Sequence, residues 1–243
     1  MNNLVDGKAL AEKITAEVKE MVAELESQPT LTVITCDPNF ETKKFLNLKQ
    51  KKAESLGILM NTVVLPFEIE TSEVVEMVKL QSEKVNGVVV QLPLPAHIDT
   101  SEVLSNIPPN KDIDVFGYDG LDNEVLPPVV GAIDEIIKTY EINLLGKKVV
   151  VFGAGRLVGG PAILYMKAQG SLVEVVTETS VDVEIKTKDA DIIILGVGKP
   201  NLLTVDMVKE GVVVFDAGSS EDGGLLVGDA DTELASKASL LTP

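Results

Sequence analysis

The sequence predicts an α/β protein of two consecutive domains, each a largely parallel sheet covered by helices on both faces. Three observations predict it. Short β-branched runs alternate with amphipathic segments along nearly the whole chain. The strand runs are apolar on both faces, as strands covered by helices on both sides are. A stretch rich in proline and glycine, residues 108–128, then breaks the rhythm near the middle. At 243 residues the chain has room for two cores of about 100 to 150 residues. The expected domains are 1–128 and 129–243.

Residues 8–26 place Leu10, Ile14, Val18, Met21, Val22 and Leu25 three and four apart among Glu and Lys, which is the spacing of an amphipathic helix. Leu31 to Cys36 is a short strand closed by Asp37-Pro38, and residues 41–56 return to helical spacing until Gly57 stops them. Ile58 to Leu65 is the next strand. Ser72 opens a helix whose first turns carry Glu73 and Glu76, suited to the positive end of its dipole. Gly87 to Leu92 is an almost wholly apolar strand. The stretch that follows, with Pro108, Pro109, Pro127, Pro128, Gly117 and Gly120, is a long loop of the kind usually functional or interdomain. After a helix over 129–143, Lys147 to Phe152 opens the second set, with strands near 173–177, 191–197, 212–217 and 239–241.

Composition narrows the function classes. The chain has 21 Lys and Arg against 38 Asp and Glu, a net charge of −17, so nucleic acid and anionic membrane are repelled over most of its surface. An anionic ligand needs a local basic or backbone-amide site. Cys36 and His97 are the sole residues of their types, which excludes a disulfide framework and a Cys- or His-based metal cluster, and His97 is read as an ordinary loop histidine. The N-terminal stretch lacks a signal-peptide apolar core, and no apolar run reaches about 18 residues. A soluble protein of the cytoplasm, without a membrane segment, is the expectation.

One motif points to a ligand. Val149 to Phe152 runs into Gly153-Ala154-Gly155-Arg156-Leu157-Val-Gly159-Gly-Pro161, a strand feeding a glycine turn and then a helix. Dinucleotide sites use this order: glycines let the backbone turn tightly and approach a pyrophosphate, whose charge meets N–H groups at the helix N-terminus. A second strand, read as ending in Glu178, puts a carboxylate 25 residues after Gly153, about where ribose hydroxyls are bound in such folds. The second domain is therefore expected to be a Rossmann-like parallel sheet binding a dinucleotide. A carboxylate at that place accepts from ribose hydroxyls and repels a 2′-phosphate, which favours NAD, with NADP as the alternative.

Five segments then occur in a recognisable order: Phe45-Leu-Asn-Leu-Lys49-Gln-Lys51, Val90-Gln91-Leu92-Pro-Leu-Pro95, Pro109-Asn-Lys111-Asp-Ile-Asp114, the glycine turn, and Gly198-Lys-Pro200. On these the chain resembles the bifunctional methylenetetrahydrofolate dehydrogenase/cyclohydrolase family over nearly its whole length. The resemblance implies oxidation of 5,10-methylenetetrahydrofolate by a nicotinamide, then hydrolysis of the methenyl product to 10-formyltetrahydrofolate, in a cleft between two α/β domains. It makes Lys49 the catalytic lysine, Gln91 its orienting amide and Asp114 the aspartate that binds the pterin amine and ring nitrogen. Phe45, Val90 and Leu92 line the folate site with them. Gly153, Ala154, Gly155, Arg156, Leu157, Glu178, Thr179, Val197, Gly198 and Ser219 are the implied cofactor contacts, and a homodimer is the implied assembly. Physical chemistry agrees: an ammonium among other cations in a partly closed cleft releases its proton more readily, and an amide both donates and accepts.

The departures from the family pattern carry expectations of their own. Phe45 stands for a tyrosine and loses its hydroxyl, which makes the hydrolytic activity the more doubtful. Val115 replaces a glycine and Val129-Val130 a threonine site, so the loop bearing Asp114 is expected to sit differently. Ala154 replaces an arginine and, with Glu178, favours NAD. Leu240 to Pro243 matches the start of a folate-contacting loop, and the text stops where that loop and a final helix should begin, which suggests a shortened form or a partial substrate site. Two other readings remain: a degenerate, non-catalytic member that keeps the nucleotide site, and a related two-domain dehydrogenase acting on another small substrate.

Overall fold

Runs of Val and Ile flanked by glycine and proline form short parallel strands because β-branched side chains pack well on a pleated, doubly covered surface. The computed structural model describes residues 3–121, 125–222 and 225–242. They fall into two compact units, residues 8–117 and residues 1–7 with 118–243.

In the unit 8–117, helix α1 (Gly7–Ala23) is followed by β1 (Thr30–Cys36), α2 (Phe40–Leu56), β2 (Leu59–Leu65), α3 (Thr71–Ser82), β3 (Gly87–Val90) and α4 (Thr100–Ser105). The three strands are parallel in the order β2-β1-β3. On one face Ile34, Cys36, Val88 and Val90 pack with Val74, Val78, Val103 and Leu104 of α3 and α4. On the other, Val33, Met60 and Val89 pack with Leu46 and Ala53 of α2. Helix α1 forms as its spacing predicts, but none of its residues is buried. Its Lys8–Glu12 and Lys13–Glu17 pairs, each at 3.9 Å, give the modest local support of exposed i,i+4 pairs.

In the other unit, α5 (Pro128–Thr139), β4 (Lys148–Phe152), α6 (Gly159–Ala168), β5 (Leu172–Val176), α7 (Val183–Asp189), β6 (Ile192–Leu195), β7 (Val213–Asp216), a small hairpin of β8 (Ser220–Asp222) and β9 (Leu225–Val227), and β10 (Leu240–Leu241) follow in turn. The main sheet is parallel, ordered β10-β7-β6-β4-β5. Helices α5 and α6 cover one face over Val149, Val151, Ile192, Ile194 and Phe215. The other face, with Val150, Phe152, Ile193 and Leu195, is closed by residues such as Leu203 and Leu234 from short turns. Residues 3–5 lie beside β10, where the Val5 N–H donates to the Leu241 carbonyl and the Leu241 N–H to that of Asn3, both at 2.9 Å. That pairing joins the first seven residues to the unit holding the end of the chain, a grouping that a boundary placed along the sequence at 128 does not contain.

Several elements end earlier than the sequence suggests. The helix expected to reach 143 stops at Thr139, and Glu141 takes a left-handed φ of 54°. The strand expected over 191–197 stops at Leu195, because Gly196 begins a turn whose N–H groups bond elsewhere. Helices α4 and α7 are too short, at six and seven residues, to show a hydrophobic period.

Candidate functional site

Helix α2 carries the first group of candidates. Asn39 caps it, its side-chain oxygen accepting the Thr42 N–H at 2.8 Å, and Gly57 closes it at φ 77°. Burial of Leu46 and Ala53 fixes its rotation; a buried leucine alone contributes about 1.5–3 kcal/mol. Phe45 and Lys49, one turn apart, are thereby left exposed, Phe45 at 55%.

Gln91 follows directly on β3, its N–H donating to the Ile34 carbonyl at 2.8 Å. The next residue but one is Pro93, which has no N–H to extend the strand, so β3 ends at Val90 rather than at Leu92 as expected. The Gln91 side-chain N–H donates to the Leu92 carbonyl at 2.9 Å, which turns its oxygen outward to accept from Lys49 Nζ at 2.9 Å. The amide is thus oriented by its own backbone before it meets the lysine. Val90 is buried in the core and Leu92 is half-buried.

Asp114 reaches the same neighbourhood through the loop after α4. The Val88 N–H donates to the Lys111 carbonyl at 2.7 Å and the Ile113 N–H to that of Val88 at 3.3 Å, so residues 111–113 run along the outer edge of β3. Gly87 permits the approach, since a Cβ there would lie 2.5 Å from Ile113 Cδ1. Burial pushes the Asp114 carboxyl above its ordinary range, the Lys49 charge pulls it back, and Asp112 adds a further upward push. Asp112, which sequence reasoning passed over, organises this turn: its carboxylate accepts the N–H groups of Asp114 at 3.1 Å, Val115 at 3.0 Å and Phe116 at 2.7 Å. Its own carboxyl is also pushed up, by burial, against the effect of those three bonds.

Val115 adopts φ 53°, the left-handed conformation that glycine favours. The three bonds to Asp112 hold it there. Val129 and Val130 open α5, and Val130 is fully buried, so this position serves the core of its unit.

The cofactor candidates gather at one end of the main sheet. β4 has β5 on one side and β6 on the other, a reversal of strand order whose carboxyl-end crevice is where open α/β sheets bind ligands. Gly153 leaves β4 at φ 76°, its N–H donating to the Val176 carbonyl at 2.7 Å, and a Cβ on it would lie 2.7 Å from Val197 Cγ1. A Cβ on Gly159 would lie 2.2 Å from the Gly153 carbonyl oxygen, so glycine alone lets α6 start so close to the turn. Val158, the cap of α6, makes no side-chain capping bond. Ala154, Gly155, Arg156 and Leu157 are exposed on the turn. A Cβ on Gly198 would be 3.8 Å from the Ser219 carbonyl oxygen, so the turns after β6 and β7 also meet. This backbone cradle fits a dinucleotide: it has room where side chains would intrude, and a helix N-terminus without a side-chain cap.

Glu178 does not end a strand. β5 stops at Val176, and Thr177 to Ser180 form a turn in which the Thr177 N–H donates to Ser180 Oγ at 2.9 Å and the Ser180 N–H to the Thr177 carbonyl at 3.0 Å. Glu178 and Thr179 are exposed on that turn, and Ser219 is exposed after β7. A second carboxylate missed in the sequence, Asp229, is fully buried beneath the turn at 197–199. A Gly-Asp pair in a loop is too common a sequence to have marked it.

Among the described residues no group of three or more His, Cys, Asp or Glu side chains forms a metal site, and no helix is long and apolar enough to cross a membrane.

Known proteins agree with this architecture. The tetrahydrofolate dehydrogenase/cyclohydrolase catalytic-domain family matches residues 5–114, and the NAD(P)-binding-domain family of the same enzymes matches residues 127–243. The bifunctional protein FolD of Sulfurihydrogenibium sp. is 38% identical over 255 residues, covering 99% of this chain and 90% of that protein. The crystal structure of the bifunctional enzyme FolD from Campylobacter jejuni superposes with a TM-score of 0.94 at 37% identity, over 99% of this chain and 90% of that one. The Trypanosoma brucei enzyme, complexed with NADP cofactor and inhibitor, gives 0.91 at 29% identity, over 99% and 89%. With both domain models matched in order, and the Lys49–Gln91 pair and the glycine cradle in place, the chain belongs to the tetrahydrofolate dehydrogenase/cyclohydrolase family.

Proposed function

We propose that this protein oxidises 5,10-methylenetetrahydrofolate to 5,10-methenyltetrahydrofolate with a nicotinamide dinucleotide, and hydrolyses the product to 10-formyltetrahydrofolate. The observation that carries the reading is the Lys49–Gln91 hydrogen bond, with a half-buried Asp114 within electrostatic reach of the same lysine. The dinucleotide, when bound, accepts the hydride that leaves the methylene carbon. The unit 8–117 supplies the folate residues Phe45, Lys49, Gln91 and Asp114, and the unit holding 118–243 supplies the dinucleotide site.

Asp114 offers a carboxylate to the amine and ring N–H groups of the pterin. Phe45 offers a ring for stacking. In the hydrolytic step water adds to the methenyl carbon and loses a proton, and one carbon–nitrogen bond breaks as that nitrogen is protonated. Lys49 is the group placed to carry the proton, with Gln91 holding its ammonium in position. Without a hydroxyl at position 45 the proton-handling set is smaller, so oxidation exceeds hydrolysis. Following reduced nicotinamide formation with methylenetetrahydrofolate, and loss of methenyltetrahydrofolate separately, tests both steps. A protein that binds nucleotide without turnover fails the first.

NAD is the preferred form in this reading. Glu178 and Ala154 support it, the one by charge and the other by the absence of a guanidinium, although Glu178 lies on a turn beyond the strand. Arg156 on the same glycine turn is the cation that would favour NADP, the form bound in the Trypanosoma brucei structure. Calorimetric titration with both cofactors decides, and tighter NADP binding overturns the preference. We further propose a cytoplasmic homodimer, supported by one lone cysteine, Cys36, and by β5 as a sheet edge with Leu172 exposed. Light scattering tests the assembly.

A further inference from the structure

Asp229 combines complete burial with an ionisable side chain that no step above uses. Its Oδ2 accepts the N–H groups of Val197 at 2.8 Å and Gly198 at 3.1 Å, and its Oδ1 accepts that of Lys199 at 2.6 Å. Its main-chain carbonyl accepts the N–H groups of Leu202 at 2.7 Å and Leu203 at 3.2 Å. One residue thus pins both ends of the segment that follows β6. The seat is close-fitting: a Cβ on Gly218 would lie 2.2 Å from Asp229 Cγ. Asp216 braces it from the other side, accepting from Gly218 at 2.8 Å and from Ala230, the residue after Asp229, at 2.7 Å.

The consequence follows from peptide geometry. In a planar trans peptide the N–H and the carbonyl point in opposite directions, and the cis peptide at Leu92–Pro93 is elsewhere in the chain. Three consecutive N–H groups directed at one buried carboxylate therefore direct the carbonyls of Gly196, Val197 and Gly198 away from it. Val197, Gly198 and Lys199 are themselves exposed. A turn of this composition with its N–H groups outward would be an anion-binding nest; here the protein's own carboxylate occupies that role.

We propose that Asp229 is a positioning residue for the dinucleotide: it inverts the turn after β6 so that outward carbonyls meet a hydrogen-bond donor of the ligand, a ribose hydroxyl or a carboxamide N–H, and not a phosphate. This rests on the dinucleotide reading of the cradle, and it adds a division of labour. The glycine turn after β4 takes the anionic part, and the turn after β6 takes a donor-bearing part.

Asp229→Asn replaces one acceptor oxygen with an N–H₂ group facing backbone donors. Calorimetry with NAD and with tetrahydrofolate, beside urea unfolding, reads the result. The expected outcome is a dinucleotide Kd about tenfold or more higher, with the tetrahydrofolate Kd unchanged. A merely structural role would lower the unfolding midpoint and leave the dinucleotide Kd of the folded protein at the wild-type value, which overturns the proposal. If Asp229→Asn does not fold, Gly198→Ala replaces it. That position has φ 72°, and a Cβ there would make only ordinary contact, 3.7 Å from Ser220 Oγ and 3.8 Å from the Ser219 carbonyl oxygen, so the variant strains the turn and leaves the core intact. Weakened dinucleotide binding supports the proposal, and wild-type affinity overturns it. A wild-type chain that bound neither NAD nor NADP would overturn the dinucleotide reading itself, a failure distinct from that of the variants.

Discussion

Replacing Lys49 with methionine separates chemistry from folding. The side chain keeps its length and loses its charge. Lys49 is exposed and its Nζ donates to the Gln91 side-chain oxygen at 2.9 Å, so the cost to stability is that of one exposed hydrogen bond, about 1 kcal/mol or less. A group that moves a proton in the transition state contributes about 10²- to 10⁴-fold in rate, which is about 2.7–5.5 kcal/mol of barrier. The kinetic effect therefore exceeds the folding effect by a wide margin. The same change removes the one charge that pulls the Asp114 carboxyl down, leaving burial and Asp112 to push it up. Asp114 then needs a higher pH to ionise, and the pH below which folate binding weakens moves up with it. Stopped-flow hydrolysis of methenyltetrahydrofolate, urea unfolding, and folate titration at several pH values measure the three effects. We expect hydrolysis to fall about 100-fold or more with little change in the unfolding midpoint. Unchanged hydrolysis, or a rate loss matched by a loss of folded protein, would refute the assignment of Lys49 as proton carrier.

Phe45→Tyr restores a hydroxyl beside Lys49 and should raise hydrolysis more than oxidation; an unchanged ratio of the two rates sinks that argument. Asp114 has a folded-state pKa raised by burial, so its contribution favours folding most below the ordinary carboxyl range and is lost as pH rises through the raised value. Asp114→Asn should consequently be more stable than wild type at neutral pH, lose that advantage in acid, and bind folate more weakly. Urea unfolding at the two pH values checks the sign. Val115→Gly relieves a β-branched residue at φ 53°. About 1–2 kcal/mol of left-handed strain outweighs about 0.4–1 kcal/mol of added unfolded-chain entropy, so the unfolding midpoint should rise, and a fall would place the strain elsewhere.

Much of the candidate site was legible because its residues sit in short segments with distinctive chemistry. Lys49 and Phe45 share a helix face through their spacing of four, and Gly153, Gly155 and Gly159 follow a strand and precede a helix. The boundaries were less legible. Glu178 reads as the end of a strand because Thr177 continues the β-branched run, yet Ser180 accepts the Thr177 N–H and turns the chain. Likewise the apolar stripe of α1 predicts a helix correctly, but its burial depends on neighbours that periodicity does not reveal.

The sequence by itself determined the alternation of elements, the parallel character of the sheets, and the family, because these depend on side-chain period, β-branching and motif order within short windows. Tertiary structure alone decided which groups became partners. Lys49 meets Gln91 across 42 positions, Val197 meets Asp229 across 32, and residues 3–5 pair with the last strand of the described chain. Val115 is the sharpest case: its propensity argues against a left-handed backbone, and three bonds to the Asp112 carboxylate override it. The physical reason is common to all of them. Local propensities are worth tenths of a kcal/mol per residue, whereas a partly buried carboxylate collecting several N–H groups is worth more than any one of them, and which N–H groups come within its reach depends on how the chain folds back.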